Sequence, residues 1–137
     1  MSFVVDASIA LAWCFEDEQT DAVLALLDRV TETGAVAPQL WPLEVLNGLL
    51  MAERRGRLTP ALRERFAGLL RDLPVTIDDE TASQAWDGAA PLADAEKLSL
   101  YDAAYLELSL RRRLPLATKD AGLAAAAERA GATLLRA

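Results

Sequence analysis

The chain of 137 residues suits one domain, taken as 1–137, in which roughly two thirds of the unfolded surface can be buried, and no apolar run approaches the ~20 residues needed to cross a bilayer. A single cysteine, Cys14, excludes an internal disulfide. Histidine is absent, which removes the commonest general base and the nitrogen ligands of most zinc sites, while the net charge of −7 runs against nucleic acid as a partner.

In chain order, the strand "FVV" ends on Asp6, which also breaks the N-terminal segment before a leader-like apolar run develops; we expect a soluble protein that stays in the cytoplasm. Helical spacing follows from about Ala7 to Phe15 and from about Thr20 to Thr33, where Val23, Leu24, Leu26, Leu27 and Val30 recur before Gly34 supplies a stop. "AVAP" reads as a second strand. Trp41-Pro42 opens a helix that runs to Gly56, and "LTPALRERFAGLLRDL" opens another, with Thr59 as N-cap and Pro60 in the first turn; the two form a hairpin. "PVTID" is a third strand, and "DETASQAWDGAAPLA" a helix expected to end near Gly88 to Pro91. "LSLYDAAYLELSLRRR" is helical, "LPLATKD" a fourth strand, "AGLAAAAERAG" helical, and "ATLL" a fifth strand. Strands separated by helices, with no hairpin signal between them, predict a three-layer α/β/α domain on a mainly parallel sheet of four to five strands.

In such a sheet the carboxyl ends of the strands share one edge, where ligands bind. Asp6 ends the first strand, Glu44 lies in the first turn after the second, Asp102 in the first turn of the helix leading to the fourth, and Asp120 just beyond the fourth. Each has a local explanation as well: Asp6 and Asp120 as helix caps, Asp102 as partner of Ser99 in a capping-box-like spacing, Glu44 as complement to a helix dipole. Clustering them has an electrostatic cost, since two like charges at ~4 Å repel by about 4 kcal/mol at an effective dielectric near 20. A divalent cation relieves this, and an oxygen-only donor set selects a hard ion, Mg2+ or Mn2+.

The segments "VVDASIAL", "PQLWPLEVLN", "LSLYDAAYLELS" and "LATKD", in this order, resemble the acidic motifs of the PIN-domain ribonucleases, most of all the VapC toxins of toxin–antitoxin pairs. The resemblance covers essentially the whole chain. It implies a metal-dependent endoribonuclease whose pocket of Asp6, Glu44, Asp102 and Asp120 holds Mg2+ or Mn2+, supported by Ser8, Asn47 and Thr118. It further implies an RNA substrate such as tRNA or rRNA, a VapB-like antitoxin and a homodimer. The hairpin from Trp41 to Leu73, with Leu46, Leu49, Leu50, Leu62, Phe66 and Leu69, is a candidate for those contacts, and core packing competes for the same residues.

Removing the four pocket acids from the count takes the charge from −7 to −3, and basic residues gather at Arg54, Arg55 and Arg57, at Arg63 and Arg65, and at Arg111 to Arg113. These are expected either to hold a nucleic-acid backbone or to complement helix ends. An RNA-processing nuclease without an antitoxin shares the same chemistry, and a non-catalytic binding module shares only the fold. A receiver-like phosphoacceptor would need an acidic pair after the first strand, where Ala7 stands, and a D-x-D phosphatase fails at Ser8.

Overall fold

The computed structural model describes residues 2–137. Five short strands, β1 (Val4–Val5), β2 (Ala35–Ala37), β3 (Val75–Ile77), β4 (Leu116–Ala117) and β5 (Leu134–Leu135), form one sheet in the order β3-β2-β1-β4-β5. Every pairing is parallel, with Val4 opposite both Val36 and Leu116. Parallel neighbours need crossovers. The chain provides them with helices α1 (Ala7–Cys14), α2 (Asp21–Thr33), α3 (Trp41–Arg54), α4 (Pro60–Asp72), α5 (Thr81–Gln84), α6 (Ala90–Glu96), α7 (Leu100–Arg112) and α8 (Ala121–Arg129). The result is the expected three-layer α/β/α sandwich.

The central strands are buried throughout, which is why they read as unbroken apolar runs and not as alternating ones. Phe3, Ile9, Leu49, Tyr105, Leu106, Leu108, Leu116 and Leu123 fill the core on both sides of the sheet. Cys14 packs against this core, and burial pushes its thiol up to about 11, so it behaves as a small hydrophobe. Local chemistry sets the helix ends. Thr20 accepts the Val23 N–H at 3.1 Å and Thr59 that of Leu62 at 3.2 Å, while Gly34 ends α2 at a φ of +73°. None of the helices among the described residues is long and apolar enough to cross a membrane.

One expected boundary moves. The helix begun at Thr81 does not stop near Gly88 to Pro91; it widens into a π turn over Ala85–Ala89 and continues as α6 to a left-handed Lys97. Proline lacks an N–H and crowds the preceding turn. The wider π turn falls immediately before Pro91, so the proline sits in the first turn of α6 and the chain stays helical.

Helices α1 and α3, which carry or follow two of the expected site acids, meet closely at Gly48. A Cβ there would lie 2.5 Å from Leu11 Cδ1, whereas one at Gly68, in mid-α4, meets nothing within 4 Å. Both alanine variants gain helix propensity of about 1 kcal/mol, but only Gly48→Ala overpacks, at about 1–3 kcal/mol. In urea unfolding, Gly68→Ala is expected to raise the midpoint and Gly48→Ala to lower it.

Candidate active site

The sheet order reverses between β1 and β4, and the loops leaving these two strands flank the open crevice of a doubly wound sheet. Asp6 leaves β1 there, tied to β4 by its backbone N–H, which donates to the Ala117 carbonyl at 3.0 Å. Its carboxylate is buried, with 6% of its surface exposed. It makes no cap bond to α1; instead Oδ2 accepts from Ser8 Oγ and from Thr118 Oγ1, both at 2.7 Å. Each hydroxyl is fixed in turn, Ser8 Oγ accepting the Lys119 N–H and Thr118 Oγ1 that of Asp120, both at 3.0 Å.

The other acids arrive from three elements. Asp120 caps α8, its Oδ1 accepting the Leu123 N–H at 2.8 Å, so the cap expected from sequence is real and uses one oxygen. Asp102 sits in the first turn of α7, its N–H held by the N-cap Ser99 at 3.1 Å. Glu44, in the first turn of α3, receives the Tyr105 hydroxyl on Oε1 at 2.6 Å. Tyr105 is a positioning residue that the sequence did not flag. It lies three residues after Asp102, on the same helix face, and that spacing was the available signal. Asn47 is exposed one turn beyond Glu44 and makes no hydrogen bond to it.

Electrostatics joins the four. Burial raises the Asp6 carboxyl, the Thr118 and Ser8 hydroxyls pull back, and the Asp120 charge adds to the rise. Burial likewise raises Glu44, opposed by the Tyr105 bond and reinforced by Asp6 and Asp102. Asp102 is raised by burial and then by Asp120 and Asp6. These carboxylates lie in a partly dry place, and among the described residues none of them forms an ion pair with a lysine or arginine. The set is all oxygen, so its chemistry fits a hard divalent cation. It is not a closed shell: among the described residues no three of these four bring carboxylate oxygens within 4.8 Å of one another. Tyr105 holds one arm and the α8 cap holds another.

The acids that do approach that closely are Asp78, Asp79 and Glu80, beyond the end of β3. Two of the three are already paired with arginines. Fully buried Asp78 receives Arg111 on both oxygens, at 2.7 and 3.2 Å, and Arg112 at 3.2 Å, while Arg111 also reaches Glu80 at 3.2 Å and Glu107 at 2.8 Å. Burial would raise Asp78, yet the two guanidiniums outweigh it and hold the group below the usual carboxylate range. A metal there would have to displace two arginines. The expectation that Arg111 and Arg112 hold a nucleic-acid backbone is therefore corrected: they close a bracket between α7 and the end of β3. A phosphoacceptor role for Asp78 is excluded by the same burial.

Carboxylates placed around the switch point of a five-stranded parallel sheet mark the chain as an α/β protein with an acidic crevice at that edge. The model of the PIN domain matches residues 3–129, and the chain belongs to the PIN-domain family. A search of the curated proteins finds no match. Among solved structures, PAE2754 from Pyrobaculum aerophilum is similar at 23% identity, with 98% of this chain and 90% of that chain covered and a TM-score of 0.71. VapBC2 from Rickettsia felis, bound to a DNA fragment from its promoter, is similar at 9% identity, covering 99% of this chain and 98% of that one, with a TM-score of 0.67. Mycobacterium tuberculosis VapC20, described as a sarcin-ricin loop cleaving toxin, gives 17% identity, 92% and 95% coverage and a TM-score of 0.58. At these identities the likeness is one of fold.

Two outcomes test the site. Tyr105→Phe keeps the core volume and frees Glu44, and loss of such an outer partner weakens metal affinity about 10–100-fold; Mn2+ titration calorimetry is expected to show that drop. The second concerns pH. Asp6, Glu44 and Asp102 hold protons more tightly folded than unfolded, so their stabilisation is complete below their unfolded values and is lost as pH rises through the raised ones. Asp78 acts oppositely: its contribution is present above its unfolded value and is lost as pH falls through the depressed one. Thermal melts of metal-free protein are expected to peak at mildly acidic pH and to decline towards neutrality, and Mg2+ to restore the neutral limb.

Proposed function

We propose that this protein is a metal-dependent endoribonuclease, the toxin of a type II toxin–antitoxin pair, that hydrolyses RNA phosphodiester bonds at the Asp6 pocket. The observation that carries this reading is a buried Asp6 carboxylate at the switch point, held by two hydroxyls and by no Lys or Arg ion pair among the described residues, with Glu44, Asp102 and Asp120 set around it at helix starts. Asp6, Glu44, Asp102 and Asp120 would hold Mg2+ or Mn2+. When bound, the ion supplies neutralising charge and a water acidified for attack on phosphorus.

The chain's own part is to fix the oxygens. Two hydroxyls lock the Asp6 carboxylate, Tyr105 holds one oxygen of Glu44, and the α8 cap holds one oxygen of Asp120. Each arrangement engages one oxygen of its carboxylate, Oδ2 of Asp6, Oε1 of Glu44 and Oδ1 of Asp120. Such prior ordering lowers the cost of reaching a productive geometry. An RNA target such as tRNA or rRNA implies work in the cytoplasm.

The partner side of the proposal rests on the α3–α4 hairpin. Its apolar residues divide: Leu49 is core, whereas Leu46, Leu62 and Leu69 are 49%, 39% and 55% exposed. Of these, Leu46 borders an apolar groove of about 640 Å³ between the hairpin and the edge strand β3, also lined by Trp41, Val45, Leu70 and Ile77. A VapB-like antitoxin or the second copy of a homodimer would cover such a surface. The similar Rickettsia felis structure is of VapBC2 bound to a DNA fragment from its promoter.

RNA cleavage with and without Mg2+ or Mn2+ tests the chemistry. Wild type is expected to cleave only with metal, and Asp6→Asn to lose more than about 100-fold in rate while its metal-free melting temperature stays level or rises, because a repelled buried charge has gone. Metal-independent cleavage, or a fully active Asp6→Asn, overturns the proposal. A stable variant that binds RNA without cleavage by any form supports the non-catalytic module instead.

A further inference from the structure

Beside the acidic pocket lies a second cavity of about 370 Å³, lined among others by Ser8, Arg55, Arg57 and Lys119. Its wall is continuous with the pocket. The Ser8 hydroxyl that donates to Asp6 accepts the Lys119 N–H, so the position of Lys119 is tied to that of the proposed metal ligand. Arg57 is also pre-set, its guanidinium lying 4.1 Å over the ring of buried Phe15.

Both cations converge on one group. The Glu18 carboxylate gives Oε2 to Arg57 at 3.2 Å and Oε1 to Lys119 at 3.6 Å, and Asp17 adds a second contact to Arg57 at 3.1 Å. A carboxylate that spreads its two oxygens over an arginine and a lysine occupies the place that two non-bridging oxygens of a phosphodiester would take. The pairs are part-exposed, and exposed ion pairs contribute little, so exchange for a phosphate is cheap. Arg55, exposed in the same cavity, has no ion-pair partner among the described residues and adds a third cation.

We infer that this cavity seats an RNA backbone phosphate flanking the scissile one, bound by Arg57 and Lys119, and that Glu18 stands in for that phosphate in the free protein. The inference rests on the ribonuclease reading above and assigns the side of the pocket from which the strand enters. It also makes Glu18 a gate: bound RNA displaces it, and weak anions do not.

The test uses full-length protein in the Asp6→Asn background, with binding of a fluorescein-labelled single-stranded RNA followed by anisotropy across a salt series. Each phosphate contact to a single strand contributes about 0.7 to the slope of log affinity against log salt. Arg57→Gln and Lys119→Gln are each expected to reduce the slope by about that amount. Glu18→Gln is expected to tighten binding several-fold, a gain that misfolding cannot produce. In the wild-type background Arg57→Gln is expected to raise KM and leave kcat. Parental slopes in both cation variants, or weaker binding by Glu18→Gln, overturn the inference. If metal-dependent cleavage persists with an unaltered KM, only this subsite fails and the nuclease reading stands; if no form binds or cleaves RNA, both fail. Binding of an acidic peptide in preference to RNA assigns the cations to a protein partner and also overturns it.

Discussion

The structure turns on a buried carboxylate with hydroxyls for company. Asp6 stands at the end of a buried strand, where desolvation disfavours its charge, and the protein answers with two hydrogen bonds and no cation. Those bonds draw together the loops after β1 and β4, because Ser8 and Thr118 also accept N–H groups from Lys119 and Asp120. One carboxylate thus organises the crevice at the point where the strand order reverses. The remaining acids are placed around it by helices that start at the same edge.

Asp78 provides the internal control. It too is an aspartate at the carboxyl end of a strand, and its side chain is likewise covered from solvent. There the chain supplies two guanidiniums, one of them bidentate, and the carboxyl is held low. A buried charge is tolerable when paired and hydrogen-bonded. The same fold therefore solves the same problem in two ways. Between α7 and β3 it pairs the acid with arginines; at Asp6 it leaves the charge without an ion pair among the described residues, as the proposed cation site would require.

Much of this was legible in the sequence because it depends on local chemistry. Short apolar runs gave the strands since those strands are buried on both faces, and Thr59-Pro60 and Gly34 gave helix ends through caps and backbone preferences. Asp6, Glu44, Asp102 and Asp120 were legible as acids at the ends of strands or the starts of helices. Contacts across the fold were not. Tyr105 meets Glu44 from 61 residues away, and Arg111 meets Asp78 from 33 away; no periodicity encodes such pairs. The helix through Pro91 escaped because a π turn undoes a rule that proline normally enforces.

The acidic net charge looked like an argument against RNA, and the answer lies in distribution. Net charge governs the far field, but at about 0.15 M salt that field decays over roughly 8 Å, and recognition is decided by what lies within that distance of the strand. Within it, Ser8 is the common wall of two unlike chambers, one acidic and short of a cation, the other lined by Arg55, Arg57 and Lys119. A phosphodiester chain presents a complementary pattern, with phosphates that need cations along its length and one phosphate where metal is delivered. In the free protein Glu18 and Asp17 pair with two of the chamber's cations, Arg57 and Lys119, and only Arg55 is left without an ion pair there among the described residues. On the proposed reading, a strand that touches the acidic pocket would bring its next phosphate to the Glu18 bridge at high effective concentration. Selectivity for polymer over free phosphate would then follow from the adjacency of the two chambers, with no need for a basic face.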